Sequence, residues 1–277
     1  MLSIELRYSF GNRRSPLNVE YRDGLNNAVV CYVTIGERQM RNTDLTDTYR
    51  RDGVVRCRGL FGTAELAKIR TAFDAYQSRA VDSLPEADYT LEPDGKSLRN
   101  LWRMEKHDPF FRELAERQTL IDLVAPLVNG DVILMAVESF NKPARVGSPV
   151  PPHQDNAYFC QSPPDVLTVW IALDAATEEN GAVEYMLGSH HELLPHQPSG
   201  VKGNSMGLAK EPQPGQFSTF VGTVDAGDAL IHHCQTIHCS EPNRSVHPRL
   251  SLVIVYRGAH TRTDEALQSN YRAAASA

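Results

Sequence analysis

The sequence predicts a mainly β protein with flanking helices, a jelly roll with its helices packed outside one sheet. Two observations carry that prediction. From Asp131 onward the hydrophobic period is two, in short segments broken by Gly, Pro, Asn and Ser clusters, while helical spacing is confined to the stretch before it. Short strands without regular helices between them close into antiparallel sandwiches or barrels. A chain of 277 residues can bury a substantial core within one domain of that kind. It divides into an unassigned N-terminal segment (1–48), a mainly helical flank (49–130), the jelly-roll core (131–257) and a C-terminal tail (258–277).

In chain order, residues 29–35 are rich in β-formers between Asn26-Asn27 and Gly36 and predict a strand. After Gly62, Thr63 predicts an N-cap, and Leu66, Ile69, Phe73 and Tyr76 recur at helical intervals, giving an amphipathic helix over a sheet. Residues 80–100 mix Pro85, Pro93, Gly95 and charges and predict a loop. Asp108-Pro109 supplies an N-cap and a first-turn proline for a helix through Glu116, and 120–127 predicts another ending near Asn129-Gly130. Strands follow at 131–141, 165–174, 182–186, 216–224, 229–233 and 249–257, with Asn180-Gly181 as a tight turn. The long connection 188–216 predicts a lid, with His191 and His196 as surface loop histidines. The end of the tail, 272–277, is expected to fray.

Composition narrows the class. With 41% hydrophobic and 22% charged residues the chain reads as an ordinary soluble globular protein, and no apolar run reaches the length of a membrane span. Acidic and basic residues stand where a signal peptide needs its apolar centre. Five cysteines, odd in number and without a Cys-x-x-Cys, predict reduced thiols in a cytoplasm, Cys234 and Cys239 among them as small buried hydrophobes. A net charge of -6 and the lack of a basic run interleaved with aromatics argue against a nucleic-acid partner. A monomer or homodimer is expected, with no membrane partner.

The chemistry concentrates at His153-Gln154-Asp155. On an extended strand, positions i and i+2 face the same way, so His153 and Asp155 can present a nitrogen and an oxygen to one point. His238, from a later strand, completes a face of two nitrogens and one oxygen with the opposite face open, the arrangement of non-heme iron(II) oxygenases. Alone, His-x-Asp is equally the polar end of a strand. His232 and His233 precede the third ligand, and at most one can face its side; structural or supporting roles are expected of them.

The blocks Ser139-Phe140-Asn141-Lys142-Pro143, Pro151-Pro152-His153-Gln154-Asp155-Asn156, Asn180-Gly181 with Met186-Leu187-Gly188-Ser189-His190, and His238-Cys239-Ser240-Glu241-Pro242-Asn243 occur in an order that resembles the phytanoyl-CoA dioxygenase family of iron(II)- and 2-oxoglutarate-dependent oxygenases. The resemblance covers about residues 131–257, with a looser echo from Tyr49 to Phe73; leucine-glycine at 187–188 replaces the family's usual proline-glycine. It implies a cupin-like double-stranded β-helix, iron held by His153, Asp155 and His238, and Arg249 on the distal carboxylate of 2-oxoglutarate. Iron(II), 2-oxoglutarate and O2 are then the expected cofactors and cosubstrates, with ascorbate as a stimulant.

The residues agree with that carry-over. Arg249, Ser251, Val253 and Val255 share one strand face, so a guanidinium and a hydroxyl would project over an apolar wall. A planar guanidinium grips a carboxylate through two donors, and Ser251 can add a third, although a structural acid would also satisfy Arg249. Thr168 and Trp170 share a face that either lines the cosubstrate site or packs in the core. Asn141 either bonds a cosubstrate carboxylate or is satisfied by backbone. The expected reaction is hydroxylation of a small molecule, releasing succinate and CO2. Desaturation, epimerisation and cyclisation remain alternative outcomes, as does a non-catalytic cupin-like metal- or ligand-binding protein; halogenation is disfavoured because Asp155 fills the position a halide needs. Lys96, Arg99, Arg103 and Lys106, with Lys202 and Lys210, either form a cationic mouth for an anionic substrate, with Arg99 and Arg103 as its contacts, or are solvated surface charges.

Overall fold

A computed structural model describes residues 33–35, 38–40 and 42–275 of the chain. The short strands β1 (Val33–Ile35) and β2 (Arg38–Met40) precede helix α1 (Asn42–Asp52), strand β3 (Val54–Cys57) and the long helix α2 (Thr63–Ser83). Strands β4 (Tyr89–Leu91) and β5 (Leu98–Leu101) lead into α3 (Met104–His107), α4 (Pro109–Ala115) and α5 (Gln118–Val124). Then come β6 (Val132–Lys142), β7 (Val150–His153), α6 (Asn156–Phe159), β8 (Gln161–Ser162), β9 (Val166–Ala172) and β10 (Val183–Met186). Strands β11 (His196–Val201), β12 (Asn204–Leu208), β13 (Thr219–Val221), β14 (Ala229–His233), β15 (His238–Ser240), β16 (Arg249–Gly258) and β17 (Arg262–Thr263) end at α7 (Glu265–Ala275).

Two antiparallel sheets form the sandwich. The large one has seven strands in the order β3-β14-β9-β16-β6-β5-β4, and the small one four, in the order β13-β10-β15-β7. Alternation decides what each face of the large sheet meets. On β16, Leu250, Leu252, Ile254 and Tyr256 join Ile69, Phe73, Phe111 and Leu120 of the helices in the outer core, while Val253 and Val255 join Val183 and Tyr185 of the small sheet in the inner one. Strand β9 divides likewise, with Leu167, Val169 and Ile171 outward and Val166, Trp170 and Ala172 inward. All seven of its residues are buried because both faces are covered. The Tyr256 hydroxyl donates to the Ala115 carbonyl at 2.6 Å, tying the end of α4 to the sheet.

The mainly antiparallel architecture with flanking helices is the one the sequence predicts; local elements differ. Gly62 is the N-cap of α2 and makes no side-chain cap, so Thr63 is its first helical residue instead. Residues 80–100 are not a loop: α2 runs to Ser83, and β4 and β5 extend the edge of the large sheet, their ladder broken between Thr90 and Leu91. The connection 188–216 contains the hairpin β11-β12, turned at Gly203, whose φ of +81° suits glycine. Helix α1 gives no periodic signal in the sequence because, among its described side chains, only Leu45, Thr48 and Tyr49 are buried. The strand expected at 29–35 lies outside the described residues except for 33–35, and of the expected fraying tail residues 272–275 belong to α7 while 276–277 lie outside.

Candidate active site

The strand ladder itself brings two imidazoles together. His238 on β15 is the register partner of His153 on β7, and their ring centroids are 4.2 Å apart. Asp155 is not on the strand with His153: β7 ends at His153, and Asp155 has helical dihedrals at the start of α6. That turn swings the carboxylate back. Its Oδ1 lies 3.5 Å from His153 Nε2 and 3.6 Å from His238 Nε2, and one ligand atom from each of the three residues falls within 4.8 Å of the others. Gln154, between them, points away and is fully engaged, donating to the carbonyls of Glu192 and Gln235 and accepting from the Leu194 amide.

Each donor atom is oriented by a further contact. His153 Nδ1 is 2.9 Å from the Pro151 carbonyl and His238 Nδ1 2.9 Å from the Thr236 carbonyl, which fixes the proton on Nδ1 and leaves the Nε2 lone pairs facing Asp155. Burial lowers both imidazoles, His153 helped by the neighbouring His238, to about 4, so both are neutral ligands at ordinary pH. Burial pushes the Asp155 carboxyl up, but the imidazoles of His238, His232 and His153 together hold it well below the usual carboxylate range. Its Oδ1 accepts from the Tyr158 hydroxyl at 2.5 Å, and its Oδ2 faces His232 Nε2 at 3.3 Å and accepts from Thr168 Oγ1 at 3.2 Å. Two neutral imidazoles and one ionised carboxylate converging on a point fit a divalent cation of the iron type.

At the other end of the same cavity, of about 520 Å³, lies Arg249. Its Nη1 donates to the Gly181 carbonyl at 2.9 Å and its guanidinium carbon sits 5.2 Å from the centre of the Trp170 ring. The backbone that presents this carbonyl needs glycine: at Gly181 φ is +83°, and a Cβ there would meet the Glu241 carbonyl at 2.4 Å. The Arg249 Nε is buried without a partner, so the side chain is aimed but not satisfied, as a site for a carboxylate requires. Burial lowers the guanidinium to about 10, which leaves it charged at neutral pH. Thr168 and Trp170 line this cavity. Ser251 does not; its hydroxyl donates to the Phe140 carbonyl at 3.0 Å. Asn141 is likewise turned to backbone, donating to the Leu98 carbonyl at 2.8 Å.

The expected cationic mouth is mostly absent. Arg99 is buried and does not line the cavity; it lies 3.3 Å from Glu92, an acid seven residues earlier, and donates to the Pro149 carbonyl. Lys96, Lys106, Lys202 and Lys210 are exposed and do not line it. Arg103 does, but it is ion-paired with Asp88. Glu138, Tyr158 and His196 are lining or supporting groups that the sequence does not single out as site residues, while His232 has the supporting role expected of it. Strand parity points to Glu138, which precedes inward Phe140 by two, and it also turns His232 inward, two after Leu230. His196 is no surface histidine; its Nε2 accepts the Gln154 amide at 2.9 Å, bracing the chain between the two ligands.

Comparison with known proteins settles the family. The sequence profile of the phytanoyl-CoA dioxygenase (PhyH) family matches residues 49–251. The chain belongs to the phytanoyl-CoA dioxygenase family. A Stutzerimonas stutzeri relative, named a probable alpha-ketoglutarate-dependent hypophosphite dioxygenase, is 28% identical over 76% of this chain and 77% of its own length. The L-proline trans-4-hydroxylase of Streptomyces griseoviridis is 25% identical over 75% of this chain and 83% of its own length. Among solved structures, the non-heme alpha ketoglutarate dependent epimerase SnoN from nogalamycin biosynthesis superposes with a TM-score of 0.65 at 25% identity, covering 79% of this chain and 84% of its own. Among the described residues no helix is long and apolar enough to cross a membrane.

Proposed function

We propose that this member of the family is an iron(II)- and 2-oxoglutarate-dependent dioxygenase that hydroxylates a small molecule. The observation that carries the reading is one cavity with His153, Asp155 and His238 converging at one end and the unsatisfied Arg249 guanidinium at the other. Iron(II) and 2-oxoglutarate, when bound with O2, supply the oxidising chemistry that ends in succinate and CO2. His153, Asp155 and His238 would hold the metal, and Arg249, backed by Trp170, would orient the distal carboxylate of the cosubstrate. Val253 and Val255 keep the wall between them apolar and limit the entry of water. Thr168 and His232 hold the outer oxygen of Asp155 so that its partner oxygen stays on the metal side.

The L-proline trans-4-hydroxylase relative supports hydroxylation, while the similarity to an epimerase makes stereochemical inversion the second outcome to test. Among the described residues Cys160, Cys234 and Cys239 are free thiols, which supports a reducing compartment such as the cytoplasm. The test is succinate release from purified protein with iron(II), 2-oxoglutarate and ascorbate, followed by mass analysis of the converted substrate. A product with one added oxygen supports hydroxylation, an unchanged mass supports inversion, and no succinate above that of the metal-chelated protein sinks the dioxygenase reading.

A further inference from the structure

Once the metal ligands and the cosubstrate clamp are assigned, one charged group lining the cavity is left over. Arg249 faces the cosubstrate end, Asp155 belongs to the metal, and Arg103 is already matched by Asp88. Glu138 remains. It sits on β6 beside its register partner Val253, is half-buried and lines the cavity, and among the described residues its carboxylate takes part in no hydrogen bond or ion pair. Its wall is hydrocarbon, with Phe140 and Val253 on the same inner face. The neighbouring acid, Glu105, offers no relief, since its carboxylate accepts the Val137 amide at 2.8 Å. A carboxylate half removed from water beside two other acids and without a partner is costly unless a ligand brings the partner. Burial, reinforced by Asp155 and Glu105 and opposed by Arg103, pushes it up to about 8, so at neutral pH the free group is largely protonated and a cationic ligand is what returns it to the carboxylate.

We propose that Glu138 anchors the substrate and that the substrate carries a protonated amine, whose N–H groups the carboxylate accepts; this rests on the dioxygenase reading above. A neutral alcohol would satisfy the acceptor without compensating the charge. An anion would add a repulsion, since Arg103 is occupied and Arg99 lies elsewhere. A cation gains from Glu138 and from the neighbouring acids together.

The test uses L-proline, L-lysine and cyclohexylamine, each beside its N-acetyl counterpart. Binding is followed by calorimetry on the full chain loaded with zinc and 2-oxoglutarate, and turnover by succinate release from the iron-loaded chain. The expected result is that at least one free amine binds and stimulates succinate release while its N-acetyl form does neither. Glu138→Gln then weakens binding of that amine at least tenfold, Glu138→Asp keeps part of it, and affinity for 2-oxoglutarate does not change. The inference is overturned by a panel in which no free amine binds, by N-acetyl forms that bind equally well, or by a Glu138→Gln protein that binds the amine like the wild type. Lack of any 2-oxoglutarate-dependent succinate release from the wild type would overturn the dioxygenase reading instead, and the calorimetry would still judge the amine.

Discussion

At the metal end of the cavity each donor atom is held by a further contact, whereas elsewhere on its wall the Glu138 carboxylate is held by none and Arg103 by Asp88 and the Ala87 carbonyl. The metal end is built where two sheet strands meet in register and a helical turn follows, so its geometry is part of the backbone ladder. The mouth draws on an edge of the large sheet and on the β11-β12 hairpin, through Thr90, Gly203 and Asn204. A site whose ligand atoms must meet within a few tenths of an ångström needs that redundancy; a wall that selects among small molecules does not, and leaves polar atoms for the ligand to satisfy. The reaction class therefore resides in the ladder and the choice of substrate in its edges.

The largest effect that would test this contrast is loss of the metal. His153→Ala, Asp155→Ala and His238→Ala should each abolish turnover and tight iron(II) binding while leaving the far-ultraviolet dichroism close to that of the parent, because the two cores on either side of the large sheet are untouched. Normal activity in any one of them removes that residue from the ligand set. At the mouth, Arg99→Ala should act on stability and not on substrate. It leaves Glu92 buried without its cation, at a cost of about 3–5 kcal/mol, partly relieved by the Ser148 amide and hydroxyl that Glu92 also accepts. A lower midpoint in urea with an unchanged substrate KM is the expected pair of results; a raised KM with unchanged stability would return Arg99 to the substrate wall.

Arg249→Ala should be smaller in stability and specific to the cosubstrate. Charge-assisted bonds of this kind are worth about 1.5–3 kcal/mol, which corresponds to roughly a ten- to hundredfold weaker hold on 2-oxoglutarate. Anaerobic titration of the iron protein measures it, and equal affinity in the two proteins would place the carboxylate elsewhere. Ser251→Ala should change that affinity little, since its hydroxyl is spent on Phe140.

What could be read in advance follows the same division. The alternating strands and the His-x-Asp with its distant histidine are local or periodic signals, and Arg249 announces itself as a cation on an apolar strand face. Helix α1, the β4-β5 edge and the β11-β12 hairpin carry short, weak or proline-interrupted patterns that only packing against the rest of the chain turns into structure. Arg99 differs from both of its expected roles for a related reason: its charge is visible, but Glu92 becomes its partner only through the fold. Glu138 was legible as an acid in an alternating strand. Its lack of a partner is a three-dimensional fact.

The smallest predicted effect concerns His232, which joins the two descriptions because it supports the metal end without touching the metal. Its Nδ1 lies 3.4 Å from the Tyr185 hydroxyl, leaving Nε2 to donate to Asp155 Oδ2 at 3.3 Å. His232→Phe keeps the ring volume and removes that donor, and loss of such a supporting bond typically costs about tenfold or more in metal affinity. The pH dependence distinguishes this from simple damage. Asp155 has a depressed folded pKa, so it is a competent ligand above that value and is lost as pH falls through it; the two imidazoles, lowered to about 4, follow the same direction. Without His232 one of the influences holding the Asp155 carboxyl down is gone, so its pKa rises and protons compete with iron at higher pH. Iron(II) titrations carried from neutral pH down through and below about pH 4, where the two imidazoles take up protons, should show the acid limb displaced upward in His232→Phe. A uniform loss of affinity with an unmoved acid limb would mean that His232 only fills space.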